Sequence, residues 1–160
     1  MNRLETNYMI LEHTMVLLPA REIEYQTIAF DVHEQNFIEK PIMKLIEEAC
    51  VTYGSTYEGR RGAVIKRMNF KRKVPIPISI HRNIYAFPTH SPYDHECIWI
   101  FPKHIKAISS VPQDKNANAK SIVIFKNNMQ LELPISEYEL RKQISRTSEC
   151  ASLFSTGVRF

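Results

Sequence analysis

The spacing of apolar residues changes along this chain, and each change predicts a different element. Residues 7–18 and 25–32 are apolar runs separated by the polar stretch 20–24. This predicts a β-hairpin, followed by a short extended piece at 36–38. From Pro41 the period becomes helical. Ile42, Leu45, Ile46 and Ala49 fall at i, i+3, i+4 and i+7, one face of a helix that opens on a proline and stops before Gly54. A second helix is predicted over 59–70, with Tyr57, Val64, Ile65 and Met68 forming its apolar face. Arg61 intrudes on that face and Gly62 weakens the helix. At about 100° per residue, Arg60, Arg67 and Lys71 fall in a narrow stripe beside it.

Beyond the second helix the pattern shortens. Residues 74–80 alternate prolines with apolar side chains, which excludes helix and predicts an edge strand or extended segment. Strands are expected at 83–88, 96–101 and 105–111, then a polar loop at 113–120. Residues 121–126 and 129–133 flank Asn127-Asn128, a hairpin with asparagines where positive φ is needed. Ser136 and Glu139 have capping-box spacing, and Leu140 and Ile144 supply the inner face of a helix running to about Phe154. Residues 155–160 look loose. The order of elements predicts one α+β domain over 1–160: mostly antiparallel strands and hairpins, two central helices and a C-terminal helix. Its parts are an N-terminal hairpin (about 7–32), a basic helical segment (about 41–73), a β-rich part (about 74–134) and the final helix (about 136–154).

Composition adds little until charge is resolved along the chain. The 160 residues are 44% hydrophobic and 24% charged, as in ordinary soluble domains, and they are enough to bury a core without disulfides or metal. The three cysteines are odd in number and far apart, which points to a reducing compartment. The first twenty residues are too interrupted for a signal peptide, and no stretch has the length of a membrane span. The expectation is a cytoplasmic, nucleoid-associated protein that uses no membrane. The net charge of +4 hides an asymmetry: 1–58 carry −6, 59–106 carry +8, and 107–160 carry +2. So basic a centre in a partly acidic chain points to an anionic partner.

The stretch YGSTYEGRRGAVIKRMNFKRK, residues 53–73, concentrates this charge and three of the four glycines. Gly54 and Gly59 have the spacing of the outer glycines of a phosphate-binding loop. Arg60 and Arg61 stand where that motif requires Lys and Ser/Thr, so a nucleotide-hydrolysing site is rejected. A nucleic-acid surface fits better. Arg60, Arg61, Lys66, Arg67, Lys71, Arg72 and Lys73 can neutralise several phosphates from one helix and its exit, with Ser55 and Thr56 as weaker phosphate hydrogen-bonders. The competing reading is a solvated basic helix, but Lys71-Arg72-Lys73 runs into an extended segment with no i, i+4 acid to relieve it. His90, Asp94, His95 and Cys97 are metal-ligand types within HSPYDHEC, yet their spacing matches no zinc pattern. Cys50 or Cys97 paired with His81 or His104 lacks any motif that would fix a nucleophilic site. No cofactor and no catalytic residue are assigned.

Several blocks taken together resemble the ComK family of competence transcription factors. They are CVTYGSTYEGRR, PIPI, IYAFPT, CIWI and FKNNMQLELPIS, followed by a helix ending in RTS, in that order over residues 36–148. The resemblance implies a non-enzymatic, DNA-binding activator of DNA-uptake genes that recognises paired AT-rich boxes of double-stranded DNA, largely through the minor groove. It implies a homodimer or dimer of dimers, and RNA polymerase as a further partner. The N-terminal hairpin matches only loosely. Longer members continue past the final helix into a tail tied to adaptor-guided proteolysis. The chain stops at Phe160, so adaptor and Clp-type protease binding is not expected to carry over. Two alternatives of other classes are a metal-dependent nucleic-acid-processing enzyme using the HSPYDHEC cluster, and a protein-interaction module whose acidic residues 1–58 meet a partner or modulate a full-length paralogue.

Overall fold

The computed structural model describes residues 3–112 and 118–155. Most of the predicted polar loop and the last five residues of the loose tail therefore lie outside the described residues. In chain order the elements are β1 (Arg3–Glu5), β2 (Thr14–Pro19), β3 (Thr27–Asp31), β4 (Gln35–Ile38), α1 (Ile42–Thr52), α2 (Tyr57–Met68), β5 (Ile76–Ser79), β6 (Ile84–Pro88), β7 (Trp99–Ile100), a 3-10 turn (Pro102–His104), β8 (Ile105–Ser110), β9 (Ser121–Phe125), β10 (Gln130–Leu133) and α3 (Glu137–Ser155). This is the α+β arrangement the pattern predicts. A seven-stranded sheet runs β1-β4-β3-β2-β7-β6-β5, and a three-stranded sheet runs β10-β9-β8. Every pairing is antiparallel except that of β1 with β4.

Strand alternation divides the interior in two. Leu17, Ala29, Ala86 and Trp99 pack with α1, with Tyr57 and Val64 of α2, and with Cys150 of α3. Val16, Phe87 and Ile100 point the other way, onto Val123, Phe125 and Leu133 of the small sheet and Leu140 of α3. The large sheet is thus the middle layer. β5 is its edge, which is where Pro77 is tolerated, opposite Tyr85. Ser136 caps α3, its Oγ accepting from the Glu139 N–H at 3.1 Å. In the β9–β10 hairpin Asn128 has φ 71° and supplies the left-handed residue, whereas Asn127 does not take positive φ and its Oδ1 accepts from Met129 N–H at 3.0 Å.

Four boundaries differ from expectation, each for a local reason. Residues 7–13 are not strand. Ile10 is fully buried there, and a turn closed by the Thr14 N–H on the Leu11 carbonyl at 3.2 Å breaks the run. The Tyr8 hydroxyl instead donates to the buried Asp31 carboxylate, which also accepts from Asn36 Nδ2 at 2.9 Å. The strand predicted at 96–101 shrinks to two residues, because the Asp94 carboxylate and carbonyl accept from the N–H groups of Glu96 and Cys97 at 2.8 and 3.0 Å. α2 begins at Tyr57, not Gly59, because the Thr56 hydroxyl caps it by accepting from Gly59 N–H at 2.9 Å. It ends at Met68, with Asn69 left-handed at φ 59°. Lys71 therefore lies beyond the helix and cannot share a helical stripe with Arg60 and Arg67.

Candidate nucleic-acid interface

The basic stretch is held at both ends. α1 stops at Thr52, and Gly54 takes φ 95°, a left-handed backbone only glycine adopts freely. That turn lets Ser55 N–H reach the Cys50 carbonyl at 2.9 Å and delivers Thr56 to its capping position. α2 then buries only Tyr57 and Val64 fully. At the far end Asn69 N–H closes on the Ile65 carbonyl at 3.0 Å, and the chain leaves through Phe70, Lys71, Arg72 and Lys73, the last with φ 48°.

The predicted site residues fall into three groups. Arg60 turns inward. It is half-buried, its Nη2 donates to the Tyr53 carbonyl at 3.1 Å, and its Nε is buried without a partner among the described residues. Arg61 is also half-buried, and its charge acts on the Tyr57 hydroxyl. The third group gathers at the exit: Lys66, Arg67, Lys71 and Arg72 are exposed, and Lys73 is half-buried. Arg67 lays its guanidinium 4.7 Å from the ring centre of Phe154. The two arginines at 60 and 67 are separated by about 10 Å of helix. Ser55 is half-buried, and Thr56 is exposed with its oxygen engaged in the cap. Tyr57 is buried, and Tyr53, at the start of the same stretch, donates to the Ile10 carbonyl at 2.8 Å, so both brace the core.

The exit cations have no direct ion pair among the described residues. Among the described residues the Lys and Arg ion pairs lie elsewhere: Arg21–Glu96, Lys40–Glu48, Arg82–Glu12 and Arg141–Glu137. None of the seven predicted cations has a carboxylate within ion-pair distance there. Neighbouring like charges repel unless an anion joins them.

What holds the exit loop was not foreseen. Gln143, buried on α3, donates from Nε2 to the carbonyls of Lys73 at 2.9 Å and Pro88 at 3.1 Å. Arg146 donates from Nη1 to Gln143 Oε1 at 2.6 Å and from Nη2 to the Arg72 carbonyl at 3.0 Å. Its guanidinium lies 4.1 Å from the ring centre of Phe70. One signal was available: Gln143 sits at i+3 from Leu140, a polar residue on the face that must be buried.

The other candidate chemistry does not assemble. Among the described residues no three His, Cys, Asp or Glu side chains converge as metal ligands. His90 is held to the Thr89 hydroxyl at 2.7 Å, while His95 is exposed. Burial pushes the Cys50 and Cys97 thiols up to about 11, and Cys150 to about 12, away from the reactive thiolate. Among the described residues no helix is long and apolar enough to cross a membrane.

Comparison with known proteins agrees with the resemblance noted above. The profile of a family described as ComK protein matches residues 5–158. The chain is 28% identical over 122 residues to the competence transcription factor of Bacillus subtilis (strain 168). The match covers 76% of this chain and 61% of that relative, so the chain spans about three fifths of the relative's length. No solved structure matches.

Proposed function

Because the chain belongs to the ComK protein family, we propose that it is a DNA-binding regulator of transcription rather than an enzyme, acting on competence genes through paired AT-rich boxes. The observation that carries this reading is the exit of α2: Lys66, Arg67, Lys71, Arg72 and Lys73 follow one another closely along the chain at the helix end, without carboxylate partners among the described residues. Such an array is repulsive alone and stabilised by phosphates, whose condensed counterions it would release. Arg61 extends the array along α2. Ser55 and Thr56 add weaker hydroxyl contacts to phosphate. Arg60 serves it indirectly, by fastening α2 to the end of α1. A cationic feature at a helix exit suits the minor groove of A·T tracts, which discriminates bases poorly by hydrogen bonding but is narrow and strongly negative. Assembly as a dimer, which two spaced boxes would engage, and a meeting with RNA polymerase complete the proposal.

Selection from a random pool of duplex DNA tests it. Enrichment of spaced A- and T-runs is expected, with log K falling linearly against log salt. Recovery of no motif, or affinity indifferent to salt, would refute it.

A further inference from the structure

We infer that Arg146, seated by Gln143, is a positioning residue that presets the cationic exit loop for DNA without itself touching DNA. The inference rests on the reading of that loop as the phosphate contact.

Four observations converge on it. First, Phe70–Lys73 has no regular secondary structure, and both its flanks are left-handed, Asn69 at φ 59° and Lys73 at φ 48°. Asn69 is an ordinary left-handed helix stop, but in Lys73 such a backbone costs energy and persists only where its surroundings over-determine it. Second, the surroundings do so from one element. Two loop carbonyls, those of Arg72 and Lys73, accept from Arg146 Nη2 and Gln143 Nε2 at 3.0 and 2.9 Å. Third, the two donors are tied to each other through Arg146 Nη1 on Gln143 Oε1, at 2.6 Å. Gln143 also holds the Pro88 carbonyl at the end of β6. The loop is thereby referenced to the sheet as well as to α3. Fourth, the Arg146 guanidinium is directed at the protein. The side chain is half-buried, two of its nitrogens donate inward and its Cζ lies 4.1 Å from the Phe70 ring centre, while Lys71 and Arg72 remain exposed.

Holding a loop in its bound shape lowers the ordering cost of binding, so affinity depends on residues that never meet the ligand. A lysine at 146 keeps the charge but cannot make a planar fork to Gln143 and Arg72 while stacking on Phe70. Charge and positioning are thus separable.

The test is a double-mutant cycle on DNA carrying spaced A- and T-runs, with Arg146→Lys, Lys71→Ala/Arg72→Ala, and the combination. Affinities are corrected for the folded fraction from urea melts of each variant. Arg146→Lys is expected to weaken binding roughly three- to tenfold, and to add nothing in the Lys71→Ala/Arg72→Ala background. Trypsin provides a DNA-free readout: cleavage after Lys71, Arg72 and Lys73 in the native protein accelerates in Arg146→Lys. Arg146→Met, which gives up the charge as well, behaves like Arg146→Lys. If Arg146→Lys binds as the parent does, or if its effect adds fully to loss of the loop cations, Arg146 is a charge contact or a bystander and the inference is overturned. A Lys71→Ala/Arg72→Ala protein that binds as the parent does overturns the loop reading itself. In that case accelerated trypsin cleavage in Arg146→Lys would still register the clamp.

Discussion

α1 and α2 are consecutive and of nearly equal length, eleven and twelve residues, yet they are kept in place by different physics. α1 buries Ile42, Met43, Leu45, Ile46, Ala49 and Cys50 against the sheet, whereas α2 fully buries only Tyr57 and Val64. Ile65 and Met68 of α2 pack on the core only partly, and α2 adds fastenings at particular points. These are the Thr56 cap, Arg60 on the Tyr53 carbonyl, the Asn69 turn and the Arg67–Phe154 contact. A helix attached by points leaves its outer surface free for other residue types, and here that surface and its exit are cationic. α1 is a structural helix whose tolerance is set by volume. α2 is a presenting helix whose tolerance is set by a few polar atoms.

The contrast fails most visibly if α1 is not the stability element. Ile46 is fully buried, so Ile46→Ala should cost about 3 kcal/mol through lost transfer energy and a residual cavity. Urea unfolding measures this. DNA affinity per folded molecule should stay that of the parent. A large specific loss of binding at constant folded fraction would mean that α1 shapes the interface directly.

The middle of the scale belongs to Arg60. Removing its side chain takes away a charge-assisted hydrogen bond to the Tyr53 carbonyl, and Arg60→Ala should cost about 1–2 kcal/mol of stability. The slope of log K against log salt should not change, because the guanidinium faces the protein. A slope reduced by about 1 would instead place it on a phosphate. The outcome decides whether α2 is fastened by that residue or presents it.

These two residues also show how much could be seen in advance. Ile46 was legible because burial on a helix repeats every three to four positions, and a run of such positions overrides local ambiguity. The hairpin at Asn127-Asn128 and the cap at Ser136 were legible because turn and cap chemistry is local. β1 was not: it is three residues, and its parallel pairing with β4 depends on a partner some thirty residues away. Residues 7–13 misled because an apolar loop filling a core has the same composition as a strand. At the interface the charges were legible but their directions were not. Counting 100° per residue put Arg60 beside Lys71 only by extending the helix past Asn69, and nothing local said that Arg60 would turn in to cap its neighbour. Gln143 and Arg146 act across some seventy residues of sequence, a distance at which periodicity carries no information.

The smallest expected effect falls on Gly62. It lies within α2, it is exposed, and a methyl added there would meet nothing within 4 Å. Glycine inside a helix is less favourable than alanine by roughly 0.5–1 kcal/mol, so Gly62→Ala should stabilise the protein by about that much, read from the urea midpoint. In a packed helix such as α1, by contrast, an added methyl has to find room that the core does not offer. If phosphates are met at the exit loop, the stabilised variant keeps parental DNA affinity and salt dependence. If affinity drops while stability rises, the outer face of α2 must approach DNA closely enough for one methyl group to obstruct it. The contact would then extend from Lys71 and Arg72 back along the helix.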